Sequence, residues 1–364
     1  MPKVILLSQI PLPYSKIGSW TTLYKNYLTS SHLVDAIVCP KPDYQFQNIT
    51  YAIVRNDLKL KLQKRFLKKK YSEYFEALQK IIQPNEKYIL QIIDNYGIVP
   101  HLEQHLLKKG IRNQFYIQFF YHGFPPFQEN FQSRGFFEFI DEMVLLTHDS
   151  YKIHKEYYTV LPTKFSVLHN GIDTKKFFKV DAVQKMALKQ KHNASDKKVF
   201  VWCSQDRPKK GLDLILDVWK RVYANDKSIE LWVIGAKREQ LQDGVRFLGP
   251  IQNDLLPEYL QASDVYLFPT LWHEGFGLSL IEALHCGNYC IASALGGVPE
   301  VLQYGKYGKL IENPHFIQDW VAAIQEYLEH EPTVKAIPAD LYSTASWNSG
   351  MNTIINEAKL SFSK

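Results

Sequence analysis

The chain has 364 residues, 46% hydrophobic and 22% charged, with a net charge of +6. This is an ordinary globular balance, long enough for two domains with separate cores. No window approaches the roughly 18 apolar residues a spanning helix needs, and no nucleic-acid-binding motif accompanies the basic excess.

Residues 3–10, KVILLSQI, are a short apolar run ended by prolines and read as a buried strand; the run is too short for a secretory leader. A helix over 18–30 opens at Gly18, and 32–39 reads as a second strand. Residues 58–74, LKLKLQKRFLKKKYSEY, set Leu60, Leu62, Phe66 and Leu67 among many Lys and Arg. Both a solvated helix face and an amphipathic patch for an anionic membrane surface or acidic acceptor fit this run. Strand 87–94, helix 99–110 stopping at Gly110, and strands 114–122 and 142–149 follow. Short apolar strands between helices predict a parallel sheet covered on both faces.

The alternation restarts near 198. Strands are read at 197–204, 229–236, 245–251 and 264–270, with helices at 211–225, 256–263 and 316–331; the segments 290–294 and 299–305 come between the last strand and the last of these helices. A last helix begins near Trp347 after a proline-containing connection. The join between the two α/β units falls near 168–177, LHNGIDTKKF. The four cysteines, Cys39, Cys203, Cys286 and Cys290, fit neither a disulfide framework nor zinc spacing and read as reduced. A cytoplasmic site is the expectation.

The chemistry concentrates in FPTLWHEGFGLSLIEALHCG, residues 268–287. A strand end runs into Gly275-Phe276-Gly277, and Leu278 starts a helix. Ligands of open α/β sheets bind at the carboxyl ends of strands. Unpaired amides and the dipole at a helix start favour an anion, and glycines let a phosphate approach. Glu274 and Glu282 flank this diphosphate seat, roughly 12 Å apart if the interval is helical. Carboxylates accept from hydroxyls, so one acid suits the sugar and the other the ribose of a nucleotide-sugar. The full pattern P-T-x3-E-G-F-G-x4-E-A-x2-C-G is far more specific than two acids eight residues apart.

This stretch resembles the signature of the retaining glycosyltransferases of family 4. Pro269-Thr270, Glu274 to Gly277, Glu282-Ala283, Cys286-Gly287 and Gly296-Gly297 through Glu300 all match its elements. The resemblance implies the GT-B fold, an α/β architecture of two Rossmann-like domains with parallel sheets facing across a cleft. The domains would be 1–168, acceptor-binding and joined by the C-terminal helix at about 347–364, and 169–346, nucleotide-sugar-binding. It implies cations on the diphosphate from VWCSQDRPKKG: Lys210-Gly211 stands at the lysine-glycine position, while Cys203, Ser204 and Gln205 replace the usual glycine-arginine and Arg207 is the nearest substitute. It further implies roles for Gly18, at a glycine turn near the donor, and for His122 at a strand end. His122, Arg207, Lys210 and Glu274 are then the candidate catalytic residues. Gly18, Gly275, Phe276, Gly277, Leu278 and Glu282 are the donor-binding ones.

The expected activity is retaining transfer from a nucleotide-sugar, UDP-sugar favoured, to a hydroxyl of a glycan or glycolipid acceptor in surface polysaccharide or lipopolysaccharide synthesis. No Asp-x-Asp occurs in the sequence, so no metal and no cofactor are expected. The membrane association would be peripheral, through 58–74. The alternatives are a phosphorylase or hydrolase on the same fold and a non-catalytic sugar-nucleotide binder. An oxidoreductase lacks its G-x-G-x-x-G after the first strand.

Overall fold

The computed structural model describes residues 1–14, 18–55, 70–239 and 242–363. Most of the basic run read as a membrane patch therefore lies outside the described residues. Met1–Asn170 with Thr344–Lys364 form one compact unit, and Gly171–Ser343 form the other.

The first unit runs β1 (Lys3–Leu7), α1 (Ser19–Leu28), β2 (Ala36–Pro40), β3 (Thr50–Val54), α2 (Ser72–Gln79), β4 (Tyr88–Ile93), α3 (Val99–Lys109), β5 (Phe115–Tyr121), α4 (Asn130–Phe139), β6 (Glu142–Leu145), α5 (His148–Tyr157) and β7 (Lys164–Val167). The second runs α6 (Ala182–Lys191), β8 (Lys198–Cys203), α7 (Leu212–Asn225), β9 (Ile229–Ile234), β10 (Val245–Gly249), α8 (Leu256–Ala262), β11 (Val265–Phe268), α9 (Leu278–His285), β12 (Tyr289–Ser293), α10 (Val298–Val301), β13 (Gly308–Ile311) and α11 (Ile317–His330). The closing helix α12 (Thr344–Ser363) returns to the first unit.

Strand order in the first sheet is β3-β2-β1-β4-β5-β6-β7, and in the second β10-β9-β8-β11-β12-β13. The strand pairs are parallel throughout. Each order reverses direction once, at β1/β4 and at β8/β11, and such switch points open a crevice beyond the strand ends. Both faces of the first sheet are covered. Leu7, Leu90 and Phe119 pack one way, while Leu6, Ile89 and Phe120 pack the other against Tyr24 and Tyr27 of α1 and Trp347 and Met351 of α12. In the second sheet Phe200, Leu231 and Leu267 pack on Trp219 and Trp320. Fully apolar strands between helices bury this way because neither sheet face meets water.

Polar side chains interrupt the first sheet in one row. Gln91 Nε2 donates to Gln118 Oε1 at 3.0 Å, Gln118 Nε2 to Glu142 Oε2 at 2.8 Å, and Ser166 Oγ to Glu142 Oε1 at 2.5 Å. Each side chain of the row finds a partner on the neighbouring strand, which is the condition for tolerating it there, although Gln91 Oε1 itself is left unpaired. Lys164 completes the row by reaching Glu142 at 3.1 Å and Glu357 of α12 at 2.8 Å.

Three sequence readings need correction. The run 142–149 is a strand only to Leu145; Thr147 then caps α5, its hydroxyl accepting from the Ser150 amide at 3.1 Å. A further strand, β7 (Lys164–Val167), stands directly before the join at 168–177, where the sequence reading has none. The strand expected over 264–270 ends at Phe268, two residues before Thr270. Among the described residues no helix is long and apolar enough to cross a membrane.

Candidate functional site in the second unit

The loops that leave β8 and β11 meet at the β8/β11 switch. After β8 the chain makes a tight turn over Pro208–Lys210 and leaves it at Gly211. The Trp202 indole N–H donates to the Lys210 carbonyl at 3.0 Å, and the Leu271 amide donates to the Lys209 carbonyl at 2.8 Å. Gly211 has φ +71°, and a Cβ there would stand 2.0 Å from the Pro269 carbonyl oxygen. The lysine loop and the signature loop are thus joined through their main chains, with no room for a side chain between them.

The signature loop is fixed from its far side as well. Glu274 bridges to Gly296, and the Gly297 amide donates to the Glu274 carbonyl at 2.8 Å. Gly296 has φ +68°, and a Cβ there would lie 2.3 Å from the Glu274 oxygen. Phe276 is buried, with its ring edge-on to Tyr342 at 5.2 Å. Gly277 then opens α9 in the left-handed region. The first-turn amides of any helix lack intrahelical acceptors, so Leu278 and Ser279 present theirs at the dipole's positive end.

Lys210 Nζ stands 2.5 Å from Glu274 Oε2, both side chains about a quarter exposed at 21% and 26%. The structure so brings together two residues that are 64 positions apart. The pair positions a cation close to the loop that opens α9.

Glu282 sits one turn into α9, partly exposed, and its carboxylate has no hydrogen-bond partner among the described residues. Burial pushes its acid up to about 7, against a smaller lowering by the Lys176 ammonium. Lys176 is itself 2.8 Å from Asp254 Oδ1. Burial, with Glu282 nearby, pushes the Cys203 thiol up to about 12. The Tyr266 hydroxyl donates to the Cys203 carbonyl at 3.1 Å. Glu274 and Glu282 therefore occupy different surroundings, the first salt-bridged and the second desolvated. The interval between them is helical only from Leu278 on, so the spacing expected for a continuous helix does not apply.

Arg207 projects into solvent, and its guanidinium has no partner among the described residues. Gly18 and His122 belong to the first unit. Gly18 precedes α1 in an extended conformation, φ −160°, that any residue can adopt. His122 is held twice by Asp94: its amide donates to Oδ1 at 2.8 Å, and Nδ1 lies 3.0 Å from Oδ2. Trp20 stacks on the His122 ring at 6.1 Å. Asp94, with φ +50° directly after β4, positions the His122 ring, and the sequence does not single it out although it ends the run LQIID. Lys176, Tyr266 and Trp20 were also missed. No local pattern marks them, because each reaches its partner through the fold.

The fold and the acid-flanked glycine turn define a protein of the GT-B class. Residues 184–339 match the model of the family described as Glycosyl transferases group 1. A D-inositol 3-phosphate glycosyltransferase of Geodermatophilus obscurus is 28% identical over 235 residues, 59% of this chain and 51% of that protein. An N-acetyl-alpha-D-glucosaminyl L-malate synthase of Bacillus anthracis is 31% identical over 178 residues, 46% of this chain and 43% of that protein. The chain spans about half the length, or less, of these curated relatives. A sucrose-phosphate synthase from Thermosynechococcus elongatus shares the fold with a TM-score of 0.74 at 16% identity, over 99% of this chain and 100% of that one. HepE of Anabaena, solved in complex with UDP, gives 0.74 at 15% identity, over 98% and 100%.

Proposed function

We propose that the protein is a retaining, metal-independent glycosyltransferase that moves a sugar from a UDP-sugar to a hydroxyl of a glycan or glycolipid, in surface polysaccharide or lipopolysaccharide synthesis at the cytoplasmic face of a membrane. The observation that carries this reading is the Lys210–Glu274 pair set beside the glycine-opened start of α9. In support, curated relatives are named as glycosyltransferases, and a structural neighbour was solved with UDP.

On this reading the diphosphate lies on the amides around Gly275, Phe276, Gly277 and Leu278. Lys210 and Arg207 face the charge that develops on it as the glycosidic bond breaks; fixed cations stabilise that charge without reorganising. Glu274 takes sugar hydroxyls and Glu282 takes ribose hydroxyls. The side chains already present supply the countercharge that a metal would otherwise bring. The first unit contributes the acceptor side around Gly18 and His122, with Asp94 fixing the imidazole.

The test is a thermal-shift screen with UDP, GDP, ADP and their sugars, followed by transfer assays with and without chelator. Stabilisation by UDP-sugars, turnover insensitive to chelator and an unchanged anomeric configuration by NMR are expected. A screen in which no nucleotide raises the melting temperature removes the proposal.

A further inference from the structure

The loop that carries Arg207 has an acid beside its cation. Asp206 directly precedes Arg207, and a free carboxylate there would compete with a phosphate for the guanidinium. Asp206 is not free. Arg238 Nε donates to Asp206 Oδ2 at 3.0 Å and Arg238 Nη2 to Asp206 Oδ1 at 2.8 Å, a two-point fork that fits a carboxylate. The remaining nitrogen, Nη1, binds Asp213 in the first turn of α7. The segment that bears Arg238 is anchored to the same loop. Gly235 has φ +96°, a Cβ on it would lie 2.0 Å from the Ser204 carbonyl oxygen, and its amide donates to Gly249 at 2.8 Å. Arg238 is only 24% exposed, whereas Arg207 is exposed and unpartnered among the described residues.

We infer that Arg238 is a positioning residue of the nucleotide site: it occupies the carboxylate of Asp206 and so leaves the neighbouring Arg207 guanidinium unneutralised for a diphosphate. The inference rests on the reading of Arg207 and Lys210 as diphosphate ligands. It assigns the two arginines separate tasks. Arg207 touches the ligand, and Arg238 acts only through Asp206. Asp213 gives Arg238 its second anchor, so the clamp ties the loop after β8 to the helix that follows it.

The test is a double-mutant cycle read by calorimetric titration on the full chain, with whichever of UDP, GDP and ADP binds the wild type tightest. Arg238→Ala should weaken binding about tenfold, the scale of one charge-assisted contact. Asp206→Asn alone should bind as well as the wild type or better. Asp206→Asn with Arg238→Ala should return to within about threefold of wild type, and Arg238→Lys should fall between the wild type and Arg238→Ala. Melting temperatures of the nucleotide-free variants separate folding from binding. A double variant as weak as Arg238→Ala would mean that Arg238 contacts the ligand or merely supports the loop, and overturns the inference. An Arg238→Ala variant with wild-type affinity overturns it too. The underlying reading fails differently: there Arg207→Ala and Lys210→Ala both bind like the wild type, or no nucleotide binds the wild type.

Discussion

The strand ends of the two units are built from different material. In the second unit, glycines with positive φ at 211 and 296 press onto the carbonyls of Pro269 and Glu274, so main chain holds main chain. In the first, the His122 corner is held by side chains, Asp94 from one strand end and Trp20 from α1. A site made of backbone leaves few choices at its glycines and therefore writes a recognisable pattern into the sequence. A site made of side chains can be assembled from many pairs and leaves no comparable mark.

That contrast can be broken experimentally, beginning with the largest effect. Gly296→Ala should abolish transfer and lower the melting temperature by several degrees, since a left-handed non-glycine residue costs about 1–2 kcal/mol before any collision. Gly18→Ala is its control for backbone strain: the backbone there is extended, and the added Cβ would stand 2.4 Å from the Thr21 hydroxyl, a side-chain atom that must turn aside, so the melting temperature should fall less than for Gly296→Ala. If the two behave alike, the distinction between the units is wrong. Lys210→Ala should cut kcat about 10²-fold, as removal of one fixed charge-stabilising group does, with the melting temperature little changed.

Glu282 sharpens the comparison through pH. Its folded-state acid is raised from 4.5 to about 7, so between those values the folded chain holds a proton that the unfolded chain releases, and stability falls as pH rises through that window. The melting temperature of Glu282→Gln should therefore gain on the wild type from pH 5 to pH 8. Nucleotide affinity of the wild type should rise over the same window, because the ionised carboxylate is the better acceptor, while the variant stays flat. The smallest effect is expected at Asp94→Asn. The pair it weakens is part-exposed and worth about 1 kcal/mol, or roughly a fivefold loss of kcat/KM.

Much of the architecture was legible because apolar runs such as YILQII and VFVWC are bounded by helices with clear stops, Gly110 among them. β3 was not, since TYAIV is only half buried at a sheet edge and no helix pattern separates it from β2 among the described residues. β7 was hidden in the run leading to Asn170 by its four partly exposed residues. In the site, Glu274, Gly277 and Glu282 could be read from the glycine turn and its flanking acids, whereas Lys210 came only from the family resemblance. That Lys210 contacts Glu274, that Lys176 tempers Glu282 by its charge, and that Arg238 grips Asp206 are interactions between segments far apart in the chain, brought together by strand order.

The second unit begins and finishes at one seam. Ile172 bridges to Ser343, and its amide donates to Tyr342 at 2.8 Å, so the entering and departing strands run side by side. A module closed off in this manner is a cassette. Residues 171–343 could be lifted out and replaced by the equivalent piece of a related chain through two neighbouring splices.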